Sequence, residues 1–154
     1  MGTIVVGVDG SPGSLEALRW AQVEAGLRGA DVRVVHAWMV PLIDAVPEPW
    51  AIGTPSLGPS EDEVHEHLEA AAKRVLATAV DEARSADSAL KVEGELAEAR
   101  PATALLAAAQ DADLLVVGSR GRGGFAGLLL GSVSAQCVHH APCPVVVVPA
   151  GRAS

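Results

Sequence analysis

Aromatic residues are scarce in this chain of 154 residues, which holds three tryptophans, one phenylalanine and no tyrosine. So few rings are too sparse to form a surface on which nucleic-acid bases stack. The formal net charge of -8 also opposes binding to a phosphate backbone, which depends on clustered lysine and arginine. We therefore expect no nucleic-acid partner.

Lysine is also rare, and two catalytic patterns are missing. Lys73 and Lys91 are the only lysines, and neither follows a glycine-rich loop, which excludes a Walker phosphate loop. No Gly-x-Ser-x-Gly sequence is present to expose a hydrolase nucleophile. Residues 121–126 fit a dinucleotide-binding pattern loosely. After Asp113, however, the chain has no Asp or Glu to supply the acidic residue expected about 20 positions later.

Cysteine is limited to Cys137 and Cys143, which flank Pro142 and indicate no disulfide framework.

No apolar run approaches the roughly 20 residues that cross a bilayer, and the sequence opens without the segments of a signal peptide. His65 and His67 would point to different sides of one helix, so we expect no metal site. These features predict a protein of the reducing cytoplasm without a membrane partner.

Strand and helix signals alternate along the chain. Ser11 and Pro12 predict the N-cap and first residue of a helix, and Gly29 predicts its end. The predicted strands are apolar runs, at Thr3–Val8, Val32–Trp38, Ala89–Glu93 (ending at Gly94), Leu114–Val117 and Val145–Val148. Five strands with four intervening helices predict one α/β domain over residues 1–150, with an open parallel sheet covered by helices on both faces.

A long irregular connection is predicted between the second strand and the next helix. Five of the ten prolines lie between Pro41 and Ser60. Connections of this length in compact domains are commonly either functional lids or disordered segments. Ser60 and Glu63 fit a capping box, so we expect the next helix to begin there.

The clearest functional signal is Gly118-Ser119-Arg120-Gly121, followed after nine residues by Gly131-Ser132. It joins the predicted strand Leu114–Val117 to a helix-compatible segment, Val133–His140. Glycines let several backbone N–H groups face one point, and a helix N-terminus adds partial positive charge. Ser132 stands where an N-cap would, so its hydroxyl could cap the helix or face a phosphate. The pattern predicts a phosphate site, with a plain structural turn as the alternative.

An acidic residue is expected beside this loop. Asp9 ends the first predicted strand as Gly118 ends the fourth, and ligands of open α/β sheets lie beyond the carboxyl ends of the strands. If the two strands are neighbours, the carboxylate can accept hydrogen bonds from both hydroxyls of a ribose. The alternative is that Asp9 only caps the turn before the first helix.

These motifs resemble the universal stress protein family over nearly the whole chain. The matching segments are Val6–Ser11, Val34–Ala37, Asp113–Gly121, Gly131–Val133 and Pro142–Pro149. The spacing Gly-x2-Gly-x9-Gly-Ser is complete, and in that family it marks the ATP-binding branch. The motif together with its flanking strands is highly specific.

The resemblance implies a Rossmann-like sheet of strand order 3-2-1-4-5, which makes strands one and four neighbours. It implies that Asp9 holds the ribose and that residues around Ala37 pack on the adenine. The nucleotide-binding residues that it implies are Gly7, Val8, Asp9, Ala37, Val117, Gly118, Arg120, Gly121, Gly131, Ser132 and Val133. The resemblance implies that Val117, Gly118, Arg120 and Gly121 line the phosphates, and that Gly131, Ser132 and Val133 close the site.

The resemblance also implies a homodimer. In this strand order the fifth strand, Val145–Val148, is an edge, and exposed valines along an edge favour aggregation unless they are covered. The family covers this strand with a second copy, so we expect the same here.

We therefore predict an adenine-nucleotide-binding stress-response protein with little or no catalysis, binding ATP with or without Mg2+. AMP or cyclic AMP could occupy the same loop. A slow ATP hydrolase is the enzymatic alternative; its turnover would be slow because the loop has arginines but no carboxylate to position water.

A phospho-acceptor receiver domain is disfavoured. It would need an Asp and a Lys after the third and fifth strands, where this sequence has Val92–Gly94 and Val148-Pro149.

Overall fold

A computed structural model describes residues 2–41, 58–120 and 130–149. Within these ranges strands and helices alternate along the chain. The elements are β1 (Thr3–Gly7), α1 (Pro12–Arg28), β2 (Asp31–Trp38), α2 (Glu61–Ala86), β3 (Val92–Glu98), α3 (Pro101–Ala108), β4 (Leu114–Gly118), α4 (Ser132–His140) and β5 (Val145–Val148). A single 3-10 turn, Ala109–Asp111, extends α3. No described helix has the length and apolar character that a membrane span requires.

The five strands form one parallel sheet in the order β3-β2-β1-β4-β5, which confirms the predicted fold. Val6 of β1 lies opposite Val34 of β2 on one side and Val116 of β4 on the other. The carboxyl ends of β1 and β4 are therefore neighbours. This adjacency is what the expected position of Asp9 beside the glycine loop requires.

Helices cover both faces of the sheet, and each face has its own apolar core. Side chains alternate along the central strand: Ile4 and Val6 join the core beneath α1 and α2, whereas Val5 joins the core beneath α3 and α4. All three are at most 1% exposed. Burial on both faces explains why β1 reads as a continuous apolar run.

The helix boundaries follow local signals in the sequence. Ser11 is the N-cap of α1, Pro12 is its first residue, and Gly29 closes it at a φ of 65°, in the left-handed region that glycine tolerates. Ser60 and Glu63 form the predicted capping box at the start of α2.

The third strand differs from its prediction. It runs from Val92 to Glu98 rather than from Ala89 to a stop at Gly94. Gly94 lies inside the strand, paired with Val34, and a Cβ there would be 3.0 Å from Cγ2 of Val80 in α2. The glycine therefore permits a close approach of α2 instead of ending the strand.

The receiver-domain alternative fails on topology. The true end of β3 does carry an acidic residue, Glu98, but its carboxylate lies 3.0 Å from Nε2 of His65 on α2. A receiver has the strand order 2-1-3-4-5, with its third strand beside the first, whereas β3 here lies outside β2.

Candidate functional site

Asp9 occupies the sharp turn between β1 and α1. Its Oδ1 accepts a hydrogen bond from the N–H of Ser11 at 2.9 Å, and its own N–H donates to Oγ of Ser14 at 3.3 Å. Gly10 follows with a φ of 82°, a conformation that residues with side chains rarely adopt. The half-buried carboxylate is therefore fixed at the end of β1. It serves the turn, as the structural alternative proposed.

The end of β4 and the start of α4 are held together by backbone and side-chain hydrogen bonds. The N–H of Gly131 donates to the carbonyl of Ser119 at 2.7 Å. The hydroxyl of Ser134 lies 3.0 Å from the same carbonyl and 3.0 Å from that of Gly131. Both ends of the glycine pattern thus meet in space. Gly121, the second glycine of the pattern, lies outside the described residues.

The turn after β1 also touches the backbone after β4. A Cβ on Gly118 would lie 3.1 Å from the carbonyl oxygen of Gly13, in the first turn of α1, and a Cβ on Gly13 would lie 3.1 Å from that of Arg120. These distances are tighter than ordinary contacts, so the missing side chains let the two backbones meet. The turn that holds Asp9, the end of β4 and the start of α4 are consequently neighbours.

The start of α4 corrects one detail of the sequence interpretation. Ser132 is not the N-cap, because the helix begins at Ser132 and Gly131 takes the cap position with extended backbone, φ -72° and ψ 171°. No described side chain caps this first turn, whereas Ser11 caps that of α1. N–H groups in the first turn of a helix carry partial positive charge and attract anions.

Several of the predicted nucleotide-binding residues have side chains that pack into the protein, or have no side chain. Val8 and Val117 are buried in the two cores, and Val133 packs half-buried against the core beneath α3 and α4. Gly7 lies against Leu105, whose Cδ1 would be 2.8 Å from an added Cβ. Their packing therefore fixes the backbone at the ends of β1 and β4 and in the first turn of α4.

The predicted adenine contact, Ala37, is placed at the end of β2. It pairs with Ala97 of β3 and packs half-buried toward the α3 and α4 face. His36, the residue before it, has Nδ1 2.8 Å from the carbonyl oxygen of Val8, which ties the ends of β2 and β1 together. Ala37 therefore lies at the same edge of the sheet as Asp9, one strand further from the glycine pattern.

A cavity of about 420 Å³ opens between α1 and α2 next to Asp9. Its lining is largely apolar and comes from Val8, Gly10, Leu15, Ala71, Arg74, Val75, Thr78 and Ala79. Of the predicted residues that the structure describes, Val8 alone lines this space, and Ala37, Gly118 and Gly131 do not. The hydrogen-bonded turns, not the cavity, bring the predicted polar groups together.

Sequence reasoning missed Ser14 and Ser134, which hold the two turns. Each is the third residue of its helix, and each hydroxyl bonds to the carbonyl of the N-cap residue. Serine at a helix start is a visible signal. The bond from Ser134 to Ser119 spans fifteen residues and could not be read from it.

Comparison with known proteins assigns the family. A family model described as the Universal stress protein family matches residues 1–149, and the chain belongs to that family. A universal stress protein of Mycobacterium tuberculosis is 37% identical over 152 residues, which cover 95% of this chain and 47% of that protein. One of Thermus aquaticus is 38% identical over 148 residues, 95% of this chain and 97% of that protein.

The mycobacterial and Thermus relatives differ in length. The chain spans about half the length of the mycobacterial proteins that it matches, and nearly all of the Thermus protein.

Solved structures agree with the fold. A universal stress protein crystallised in complex with cAMP is 30% identical, with a TM-score of 0.67 and coverage of 97% of this chain and 98% of that chain. A universal stress protein from Archaeoglobus fulgidus in complex with dAMP is 25% identical, with a TM-score of 0.64 and coverage of 96% and 98%.

Proposed function

We propose that this protein binds an adenine nucleotide across the carboxyl ends of β1 and β4 and acts as a non-catalytic stress-response protein. One observation carries the proposal. The Asp9 turn, the backbone after Gly118 and the first turn of α4, which no described side chain caps, lie next to one another. A carboxylate beside a helix N-terminus suits a ligand that has hydroxyls at one end and phosphates at the other.

The ligands of two relatives fit the role given to Asp9. Cyclic AMP retains the 2′-hydroxyl of its ribose, and dAMP retains the 3′-hydroxyl, so each offers one donor to a carboxylate. ATP offers both. Asp9 would accept these hydrogen bonds while Ala37 packs on the adenine.

We take ATP, with or without Mg2+, as the ligand of this chain. Arg120, at the end of the described β4 segment, is exposed and adds a positive charge to the α4 helix start. Arg122 follows two residues later in the sequence. A triphosphate carries more negative charge than a monophosphate and gains more from such an environment.

Slow or absent hydrolysis is part of the proposal. Residues 118–120 and 130–134, the described parts of the glycine pattern, include no carboxylate that could position water. Asp9 already accepts the N–H of Ser11 and is assigned to the ribose. Cys137 and Cys143 are free thiols, which suits a reducing compartment such as the cytoplasm.

The proposal includes a homodimer through β5. This strand pairs only with β4 within the described sheet, and its four valines are half-buried rather than covered. A second copy placed along this edge would bury them and pair its outward backbone groups.

Calorimetry with matched variants tests the proposed binding. We expect heat on titration of the wild type with ATP. Asp9→Ala should weaken ATP affinity about thirtyfold, because the two lost hydrogen bonds contribute roughly 1 kcal/mol each. Asp81→Ala, which removes an exposed carboxylate on α2, should bind as the wild type does. If folded wild type gives no heat with ATP, ADP, AMP or cyclic AMP, with and without Mg2+, the proposed function is wrong.

A further inference from the structure

Among the described residues, buried polar side chains are concentrated in two neighbouring turns. Among the described residues, the polar side chains classed as buried belong to four serines, with exposed fractions between 2% and 9%: Ser11, Ser14, Ser119 and Ser134. All four lie in the two strand-to-helix turns that form the candidate site. Burying a hydroxyl is unfavourable unless it is hydrogen-bonded, so a cluster of them marks a turn that is tightly defined.

Ser14 and Ser134 occupy equivalent positions in the two turns. Each is the third residue of its helix. Ser14 donates its hydroxyl hydrogen to the carbonyl of Ser11 at 2.9 Å, and the Ser134 hydroxyl lies 3.0 Å from that of Gly131. Each therefore ties the first helical turn to its own N-cap residue.

Each of these hydroxyls also reaches back toward the preceding strand, but to a different group. Oγ of Ser14 accepts the N–H of Asp9 at 3.3 Å, and so fixes the residue that carries the carboxylate. The hydroxyl of Ser134 shares its hydrogen with the carbonyl of Ser119 at 3.0 Å, and so holds the end of β4 against the first turn of α4.

We propose that Ser14 and Ser134 are positioning residues with separate tasks. Ser14 orients Asp9 toward the ribose hydroxyls, and Ser134 orients the N–H groups at the start of α4 toward the phosphates. This inference rests on the proposed function, since it divides that site into a ribose half and a phosphate half. Neither side chain touches the nucleotide in this arrangement, because both are turned into the protein.

Separate tasks predict separate losses. Two ratios measure the two halves: the Kd of adenosine over that of ATP reports the phosphates, and the Kd of 2′,3′-dideoxy-ATP over that of ATP reports the ribose hydroxyls. Ser134→Ala should lower the first ratio about tenfold and leave the second unchanged. Ser14→Ala should lower the second ratio by a similar factor and leave the first unchanged.

The experiment is calorimetric titration of wild type and variants with these three ligands, alongside chemical denaturation. Ser85→Ala, which removes an exposed hydroxyl near the end of α2, is the matched control and should change neither ratio. If an alanine variant does not fold, the cysteine variant at the same position replaces it. A thiol is larger than a hydroxyl but keeps a weak hydrogen-bond donor, so the same ratio should fall by a smaller factor.

Two results would overturn the inference. Either both ratios stay at wild-type values while the variants lose stability, which means that the serines only stabilise helix starts, or each variant lowers both ratios equally. Failure of the function itself is distinguishable. If the wild type binds none of the three ligands, both the proposed function and the inference are wrong. If the wild type binds them and both ratios are unchanged in every variant, only the inference is wrong.

Discussion

Gly13 and Gly118 meet with their backbones in contact. A Cβ on Gly118 would lie 3.1 Å from the carbonyl oxygen of Gly13 and 3.2 Å from its carbonyl carbon. Neither glycine has a positive φ, so sterics rather than backbone conformation require them. Gly118 belongs to the glycine pattern that predicts the nucleotide site, and it also allows α1 to approach β4.

Gly118→Ala should therefore destabilise the protein without any ligand present. Because the added methyl group meets backbone atoms that cannot rotate away, we expect a loss of about 1–2 kcal/mol in the free energy of unfolding. Gly26→Ala is the control, since nothing lies within 4 Å of its Cβ position in α1; it should gain about 0.5–1 kcal/mol from helix propensity. Urea denaturation measures both. Wild-type stability in Gly118→Ala would contradict the close contact.

Gly131 should behave differently, because a Cβ added there makes only ordinary van der Waals contacts. The nearest atom to an added Cβ is the carbonyl oxygen of Ser119 at 3.5 Å, an ordinary contact, and its φ suits any residue. Gly131→Val should fold normally but lose ATP affinity, by placing a side chain against the proposed phosphate position. We expect calorimetry to show at least a tenfold loss of affinity, which corresponds to about 1.4 kcal/mol of binding free energy.

Gly26→Val is the control. It adds the same side chain on the outside of α1 and should bind as the wild type does. Unchanged affinity in a folded Gly131→Val protein would exclude the start of α4 from the site.

The accuracy of sequence interpretation here depends on how far apart the interacting residues lie. The N-cap of α1 and the capping box of α2 were predicted because Ser11 with Pro12, and Ser60 with Glu63, are local pairs. The third strand was misplaced because Gly94 reads as a local stop. Its pairing with Val34 and its contact with Val80 are both non-local, and they decide the outcome.

The site follows the same rule. Alternation of apolar runs predicts a parallel sheet but not its order, so the adjacency of β1 and β4 came only from the family resemblance. The glycine pattern predicts that Gly118 and Gly131 matter. It cannot show that a Cβ on Gly118 would crowd the backbone of Gly13 while one on Gly131 would make only ordinary contacts, since the two differ only in what the fold places beside them.

The outward side of β5 should carry the proposed dimer. The carbonyls of Pro144 and Val148 accept hydrogen bonds from β4, so the backbone groups of Val145 and Val147, which alternate with them, point to the open edge. Val147→Pro removes one outward N–H and leaves the pairing with β4 intact. We expect a dimeric wild type and a monomeric variant by sedimentation at micromolar concentration. Val147→Thr keeps the N–H and the branched shape and should remain dimeric. A monomeric wild type would refute the dimer.

Cys137 should make stability depend on alkaline pH. Burial raises the pKa of its thiol from 9.0 to about 11, because the thiolate would lose its hydration inside the core beneath α3 and α4. The folded state then holds this proton more tightly than the unfolded chain. The contribution of this thiol to the free energy of unfolding is complete below pH 9 and is lost as pH rises toward 11, with a slope of up to about 1.4 kcal/mol per pH unit.

Urea denaturation between pH 8 and pH 10.5 should show a steeper fall in the free energy of unfolding for the wild type than for Cys137→Ala. The lower stability of Cys137→Ala at every pH reflects lost packing. Cys143→Ala is the comparison, since burial and the charge of Asp113 raise the pKa of the Cys143 thiol as well, but its side chain is less buried. Parallel pH profiles for wild type and Cys137→Ala would show that this thiol ionises as freely in the folded protein as in the unfolded chain.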